Sequence, residues 1–340
     1  MFRTEASLAI GMGHLIRCLS LAKMLEQEFN VHFLLTEADS KIDSLIKAEG
    51  FKCDHLNETY QQTDKLKKED QFLNDADIIV LDGYNFTSVY QKEIKEKGKI
   101  LVCIDDNHAL HFYADAIINV SNSVLVRDYS CEPYTRLCLG SKYAFLREPF
   151  LISSRKPART IVHVDKVFIC LGGADENNIT LKLLQGIHPI RAFKKIYVVI
   201  GIVNPHEQVI RNYIKSIDQS GKIIIYKNIN AQELNSLISD SQLAICPASG
   251  ISVEAASVGI GIVSGYTADN QLGILDGLVK TGCVVNAGNL NELTIVELTK
   301  CIAEYISDIN RINKHINNQK LLIDGLSPKR LLDLFKEIAK

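Results

Sequence analysis

The chain has 340 residues, of which 46% are hydrophobic and 23% are charged, and its formal net charge is −2. This length predicts two domains with an ample core, and the near-neutral charge excludes a general basic field for nucleic acid. No apolar run approaches the length of a membrane span. The nine cysteines are scattered and form no C-x-x-C pair, which is typical of reduced cysteines. Arg3 and Glu5 interrupt the apolar stretch that a signal peptide would need at the start. Both observations favour a cytoplasmic protein.

Short β-branched runs alternate with amphipathic stretches in the first half of the chain. Residues 31–36, 78–82, 100–105 and 116–120 are predicted strands, and residues 15–25, 41–49 and 89–97 have helical spacing. This alternation is typical of a parallel sheet covered by helices on both faces. We therefore predict a doubly wound α/β domain over residues 1–150.

The same alternation begins again in the second half. Predicted strands at 166–170, 195–200, 222–226, 242–246 and 260–264 define a second doubly wound domain over residues 166–320. Residues 151–165 show little periodicity and are predicted to be a linker, and residues 321–340 a C-terminal helix. Two such domains would form a cleft where the carboxyl ends of their strands meet, and ligands bind at such ends.

A glycine-rich turn with a histidine precedes the first predicted helix. Gly11 and Gly13 flank Met12, and His14 follows. Glycines let the backbone approach a ligand closely, and the N–H groups at a helix start attract anions. The positive field there disfavours imidazolium, so His14 would stay a neutral base. From these residues alone, a polar loop cap is an equally good interpretation of His14.

The predicted strand at 166–170 is followed by a second glycine turn. Gly172 and Gly173 could present backbone N–H groups to a phosphate. The alternative is a tight turn in which Asp175 caps the next helix.

Two further strand ends carry residues suited to a nucleotide. After 242–246, Ser249 and Gly250 open a helix in which Glu254 could accept two hydrogen bonds from a ribose diol. The alternative is a capping arrangement with Ser249 or Ser252 at the helix end. The predicted strand at 260–264 is followed by Asp269, Asn270 and Gln271, at the point where the next helix begins.

A metal centre is a weaker interpretation of the acidic and histidine residues in the first half. The candidates follow the predicted strand at 100–105 and are Asp105, Asp106, Asn107, His108 and His111. The strand ends there, so a loop facing the cleft accounts for them better, and no Asp-x-Asp motif of the type that holds a divalent cation on a sugar nucleotide follows a strand. We therefore predict neither a metal nor a cofactor.

Four motifs, in this order, resemble the sugar-nucleotide hydrolases of pseudaminic acid biosynthesis. They are G-x-G-H-x-x-R-C at 11–18, G-G-x-D-x-x-N-x-T at 172–180, S-G-x-S-x-E at 249–254 and A-D-N-Q at 268–271. The resemblance covers roughly residues 1–290, and its second half is shared with GT-B glycosyltransferases. It implies the GT-B architecture: two Rossmann-like domains facing across a cleft, the C-terminal one holding UDP and the N-terminal one holding the sugar.

The resemblance also implies a reaction and its residues. Water would attack C1 of a UDP-linked 2,4-diacetamido-2,4,6-trideoxy sugar without a metal, with His14 as the catalytic histidine and Tyr84 as an active-site tyrosine. Glu254 would bind the ribose hydroxyls. The other predicted substrate-binding residues are Gly11, Gly13, Arg17, Gly172, Gly173, Asp175, Asn178, Ser249, Gly250, Ser252, Asp269, Asn270 and Gln271.

Two positions depart from the family pattern. Only two residues precede Arg3, so the first strand would be very short, and Glu5 stands where an aspartate is more usual. Either Asp82 or Glu5 could fix the tautomer of His14. The N–H groups of residues 13–16 and 249–252 are candidates for stabilising the departing diphosphate.

Three functions stay open at this point. A GT-B glycosyltransferase that passes the sugar from UDP to an acceptor is the alternative to the hydrolase. The hydrolase is favoured, because the N-terminal domain shows no strong apolar patch with basic residues. A nucleotide-sugar-binding module without catalysis is disfavoured by His14 beside the glycines. The predicted partners are a UDP-sugar and water, without nucleic acid or stable membrane insertion, and no oligomeric state is predicted.

Overall fold

A computed structural model describes residues 1–5, 12–36, 38–56, 65–218 and 220–340, without the side chains of residues 65–68. The predicted site residue Gly11 lies outside the described residues. The chain divides into two compact units, the first formed by Met1–Phe145 with Leu326–Lys340 and the second by Leu146–Gly325.

The first unit contains a seven-stranded sheet in which all paired strands are parallel. Its strands are β1 (Phe2–Thr4), β2 (His32–Leu35), β3 (Lys52–His55), β4 (Ile78–Asp82), β5 (Ile100–Ile104), β7 (Ala116–Asn119) and β9 (Arg136–Leu139). Their order across the sheet is β3-β2-β1-β4-β5-β7-β9, so the strand order reverses between β1 and β4. Such a switch point is where ligands bind in open α/β sheets.

The helices of the first unit cover both faces of this sheet. They are α1 (Gly13–Leu25), α2 (Ser40–Ala48), α3 (Lys65–Asn74), α4 (Ser88–Glu96) and a C-terminal helix numbered α13 (Ser327–Ile338), while β6 (His111–Phe112) pairs with β8 (Ser130–Cys131). Consecutive residues of β4 point to opposite faces: Val80 packs in one core with Leu15, and Ile79 in the other with Ile94. Burial on both faces explains the continuous apolar runs from which the strands are predicted.

The second unit has a six-stranded parallel sheet of Rossmann order. Its strands are β10 (Lys166–Cys170), β11 (Lys195–Ile200), β12 (Ile223–Lys227), β13 (Leu243–Pro247), β14 (Gly261–Tyr266) and β15 (Val285–Asn289), arranged β12-β11-β10-β13-β14-β15. Its helices are α5 (Glu148–Ser154), α6 (Ile179–Ile187), α7 (Glu207–Ile217), α8 (Ala231–Asp240), α9 (Gly250–Val258), α10 (Leu272–Lys280), α11 (Ile295–Ser307) and α12 (Ile309–Leu322). The predicted α/β class with two doubly wound, Rossmann-like sheets is confirmed.

The structure differs from the predicted organisation in two segments. The predicted linker, residues 151–165, begins inside α5, whose first turn contains Pro149 and whose Phe150 is fully buried in the second unit. The predicted C-terminal helix, residues 321–340, contains the end of α12 and all of α13, and Gly325, at φ +73°, separates them. Within the described residues, no helix combines the length and the hydrophobicity that crossing a membrane requires.

Candidate active site

His14 and Asp82 meet at the switch point of the first unit. His14 lies in the first turn of α1 and Asp82 ends β4; His14 Nδ1 is 2.6 Å from Asp82 Oδ1, and the two side chains are 9% and 0% exposed. Arg17 Nη2 is also 3.0 Å from His14 Nδ1, but the shorter contact with a carboxylate oxygen requires a proton on Nδ1. The Nε2 atom is then the proton acceptor of the ring.

Asp82, and not Glu5, is the carboxylate that holds His14. Glu5 instead accepts a hydrogen bond from the backbone N–H of Tyr84 at 3.0 Å. This contact depends on Gly83, where a Cβ would lie 2.6 Å from Glu5 Cγ. The tight turn after β4 therefore fixes both Asp82 and Tyr84.

Arg17 links Asp82 to a second carboxylate. Its Nε donates to Asp82 Oδ2 at 2.6 Å, and its Nη1 lies 2.8 Å from both oxygens of Asp106. Burial opposes the ionisation of Asp82, but the Arg17 charge and the hydrogen bonds from Arg17 and His14 lower its pKa to about 2. Asp82 therefore stays anionic and can stabilise positive charge on His14. Arg17, predicted as a substrate contact, is occupied by carboxylates of its own unit.

Tyr84 stands beside the imidazole with its ring partly in solvent. The Tyr84 and His14 rings pack edge to face at 5.0 Å between centroids, and the Tyr84 hydroxyl lies 3.4 Å from Asp106 Oδ2. Tyr84 is 43% exposed, so its side chain is accessible to a ligand. Gly13 begins α1, whose N-cap residue Met12 provides no side-chain cap.

The acidic cluster weighed as a metal centre is held by donors of the protein. Asp105 Oδ2 accepts hydrogen bonds from the His108 N–H and the Tyr129 hydroxyl, both at 2.8 Å, while Asp106 pairs with Arg17. Asp106, which the sequence indicates only as a possible metal ligand, is a member of the His14 site. Its position directly after a predicted strand was the available signal.

In the second unit, the glycine turn after β10 contains a helix cap. Gly172 has φ +87°, and the Asp175 carboxylate accepts hydrogen bonds from the N–H groups of Ile179 at 2.8 Å and Thr180 at 3.0 Å. Those two N–H groups of α6 are therefore occupied, which is the capping alternative for Asp175. Asn178, at φ +51°, keeps a buried Oδ1 for which the described residues supply no hydrogen-bond donor.

A buried serine forms hydrogen bonds across the first turn of α9. Ser252 Oγ accepts from the Ser249 N–H at 3.2 Å and donates to the Ser249 carbonyl at 2.7 Å, so Ser252 serves the turn itself. A Cβ on Gly250 would meet no described atom within 4 Å beyond its own turn, which leaves room for close approach to the helix start. After β14, Gln271 Oε1 accepts from the Thr267 N–H at 2.8 Å, whereas Asp269 and Asn270 are exposed.

Glu254, the predicted ribose contact, is already paired. Arg147 donates to it in a bidentate arrangement, with Nε to Oε1 and Nη2 to Oε2 both at 2.7 Å, and only 8% of the Glu254 side chain is exposed. A ribose diol would have to share or displace that guanidinium. Arg147 immediately precedes α5, and no local sequence pattern indicates this pairing.

The structure thus contains one cluster of polar site residues in each unit. His14, Tyr84 and Arg17 gather around Asp82 in the first unit. In the second, the turns after β10, β13 and β14 lie at the same edge of the sheet, because these three parallel strands are neighbours. Of the backbone N–H groups considered for the diphosphate, those of Ile16, Ser249 and Ser252 donate to groups of the protein; for those of 13–15, 250 and 251, the described residues show no acceptor.

Comparison with known proteins gives distant relatives and a fold. No protein-family profile matches the chain. An uncharacterised protein of Methanocaldococcus jannaschii, MJ1062, is 29% identical over 335 residues, which cover 94% of this chain but only 64% of that protein's length. The UDP-2,4-diacetamido-2,4,6-trideoxy-β-L-altropyranose hydrolase of Campylobacter jejuni is 25% identical over 249 residues, covering 66% of this chain and 83% of that one.

Among solved structures, MurG of Acinetobacter baumannii superposes with a TM-score of 0.69 over 99% of both chains at 12% identity. At that identity the match defines the fold alone, which is GT-B.

Proposed function

We propose that this chain is an enzyme that processes a UDP-sugar, and specifically a hydrolase that releases UDP from a UDP-linked 2,4-diacetamido-2,4,6-trideoxy sugar. The contact of 2.6 Å between His14 Nδ1 and Asp82 carries the proposal, because it orients an imidazole whose Nε2 can accept a proton. The motifs at 11–18 and 249–254 and the name of the Campylobacter relative support the choice of substrate.

In the proposed reaction, water attacks C1 of the sugar. Its oxygen forms the new bond to C1, the bond from C1 to the diphosphate oxygen breaks, and UDP leaves as an anion. His14 Nε2 takes the proton of the water, and the buried Asp82 stabilises the imidazolium that results. Tyr84 would orient the water or the sugar ring from its position against the imidazole.

The second unit would bind the UDP part of the same substrate. The N–H groups of residues 250 and 251 and of the Gly172–Gly173 turn would receive the diphosphate, since helix starts and glycine turns favour anions. Asn178 Oδ1 is a buried acceptor available to a ligand donor. Glu254 would exchange part of its pairing with Arg147 for the ribose hydroxyls.

Hydrolysis in ¹⁸O-labelled water tests the proposal. The purified chain, with chelator and without an acceptor, should convert the altropyranose sugar nucleotide to stoichiometric UDP and free sugar, with one ¹⁸O on the C1 hydroxyl. Label in UDP would mean attack at phosphorus and would contradict the proposed step. Dependence on an added acceptor would make the protein a glycosyltransferase instead, and inactivity of His14→Asn alongside the wild type would tie the reaction to this site.

A further inference from the structure

Three potential metal ligands meet on the edge of the first unit, on elements that the proposed reaction does not use. Asp43 lies in α2, and Cys53 and His55 lie in β3, the edge strand of the sheet. Cys53 and His55 are two residues apart on a strand and therefore share a face, and α2 packs against β3. All three side chains are half-buried.

The distances among their ligand atoms fit a tetrahedral ion. His55 Nε2 is 2.9 Å from Asp43 Oδ1, Cys53 Sγ is 3.8 Å from the same oxygen, and all three ligand atoms lie within 4.8 Å of one another. Tetrahedral Zn²⁺ with ordinary bond lengths would separate nitrogen from oxygen by about 3.4 Å and sulfur from oxygen by about 3.6 Å. The nitrogen–oxygen separation would lengthen by about half an ångström and the sulfur–oxygen separation would shorten by about 0.2 Å to reach that geometry.

We propose that Asp43, Cys53 and His55 form a binding site for Zn²⁺, with a water molecule as the fourth ligand. A thiolate with an imidazole selects zinc-like ions over Mg²⁺ or Ca²⁺, which prefer oxygen ligands. No other three such side chains gather this closely in the part of the chain that the structure describes. The site goes beyond the proposed hydrolase and does not depend on it.

The charges at this position suit a cation. Zn²⁺ binding would release the thiol proton of Cys53 to solvent and offset the negative charges of the thiolate and Asp43. Because its ligands come from both α2 and β3, the ion would fasten this helix to the edge strand and stabilise the first unit.

The chain offers a matched control beside the site. His32 in β2 and Asp54 in β3 form a second histidine–aspartate pair, with 2.8 Å between Nε2 and Oδ2. Asp54 lies between Cys53 and His55 and therefore points to the opposite face. Cys131 is a second half-buried free thiol of the first unit. His32→Gln and Cys131→Ser thus change the same residue types away from the proposed site.

Titration of the metal-free full chain with Co²⁺, followed by Zn²⁺, tests the proposal. We expect one Co²⁺ per chain with a thiolate-to-cobalt absorption band, displaced by Zn²⁺, and a higher Tm with Zn²⁺. Cys53→Ser should abolish the band. Asp43→Asn and His55→Gln should each weaken Zn²⁺ binding by about 100-fold or more, above the usual effect of an outer-shell group. His32→Gln and Cys131→Ser should bind like the wild type.

A wild-type chain without the band, or a band that persists in Cys53→Ser, would overturn the proposal, as would its loss in Cys131→Ser. If Cys53→Ser fails to fold by circular dichroism, unchanged Zn²⁺ affinity in Asp43→Asn and His55→Gln overturns it equally. UDP release is measured separately in chelator, so failure of the Zn²⁺ site and failure of the hydrolase give different results.

Discussion

Asp82 is the residue on which the His14 site depends. Its oxygens accept hydrogen bonds from His14, from Arg17 and, at 3.3 Å, from the Cys18 thiol, and its side chain has no exposure to solvent. A carboxylate at this depth is tolerated only when cations and donors replace its hydration. The same contacts that would orient the imidazole for proton transfer therefore also contribute to stability.

The lowered pKa of Asp82 predicts a stability change in acid. Since the folded pKa of about 2 lies below the ordinary value of 3.8, the contribution of Asp82 is fully present above the unfolded pKa and lost as pH falls toward 2. It amounts to about 2 kcal/mol. Urea unfolding between pH 2 and 5 should show this slope in the wild type and not in Asp82→Asn.

Asp82→Asn should also lower the free energy of unfolding at neutral pH by about 3–5 kcal/mol, because Arg17 loses a buried partner. Glu26→Gln is the control, since Glu26 forms an exposed pair with Lys23 and its loss should cost about 1 kcal/mol or less. An identical acid slope in the wild type and in Asp82→Asn would show that other carboxylates determine it.

His14 is expected to affect turnover and not UDP binding. His14→Asn keeps a polar side chain but lacks the basic nitrogen, so kcat should fall by about 10²-fold or more. UDP affinity by calorimetry should stay near the wild-type value, because the proposed UDP contacts belong to the second unit. Wild-type turnover in this variant would leave His14 as a residue of the first turn of α1 without a chemical role.

Glu254 is expected to have the opposite profile. Loss of its charge-assisted ribose contact in Glu254→Ala should weaken UDP binding by roughly 1.5–3 kcal/mol. Arg147→Gln separates this role from the ion pair, since it removes the guanidinium and leaves the carboxylate for the ribose. UDP binding that weakens only in Glu254→Ala supports the ribose contact; equal weakening in both variants would assign the effect to the ion pair.

The site residues differ in how far sequence could predict them. His14 follows a glycine turn and Asp82 ends a continuous apolar strand, so local pattern indicates both. Arg147 pairs with Glu254 across 107 residues, and that contact depends on how α5 packs against α9. No local pattern encodes a contact of this kind.

At the scale of elements, the sequence predicts the strands with unbroken apolar runs, the edge strand β12 among them, but not the edge strands β3, β9 and β15. The predicted strands at 78–82, 166–170 and 195–200 coincide with β4, β10 and β11, because burial on both faces demands an unbroken apolar run. Strand β3, with the sequence Lys-Cys-Asp-His, lies at the edge and is partly exposed, so its composition resembles a loop. Helix α5 has seven residues, about two turns, which is too short for a helical repeat to stand out in the sequence.

The turn after β10 is held in place by close backbone contact. A Cβ on Gly201, just after β11, would lie 2.5 Å from the Gly173 Cα, and backbone cannot yield as a flexible side chain does. Gly201→Ala should therefore cost about 1–3 kcal/mol of stability and weaken UDP binding by displacing the turn. Thermal unfolding and calorimetry measure the two effects.

Gly173→Ala is the matched comparison for stability, because among the described residues its Cβ would meet no atom within 4 Å apart from its chain neighbours. It should unfold near the wild-type temperature. If Gly201→Ala and Gly173→Ala have equal stability, the close contact is not a constraint on the turn.

At the scale of the whole molecule, the first unit is made from both ends of the chain. Helix α13 joins residues 1–145, and its Leu331, Leu334 and Phe335 enter the same core as Leu15 of α1. The sequence shows an amphipathic C-terminal helix but not which sheet it covers, since several apolar surfaces suit such a stripe. The predicted fold class is therefore correct although the observed units have other boundaries than the predicted domains.

This connectivity predicts that a mutation near the C-terminus weakens the first unit. Phe335 is 2% exposed and packs against Phe29 at 6.1 Å between ring centroids, so Phe335→Ala should cost about 3–5 kcal/mol. Hydrogen exchange should show lost protection in β1, β2 and β4, while β10, β13 and β14 keep theirs. Leu321→Ala, on α12 of the second unit, is the control because Leu321 is 85% exposed. Equal loss of protection in both sheets would mean that the two units unfold as one, and unchanged protection would place α13 outside the core.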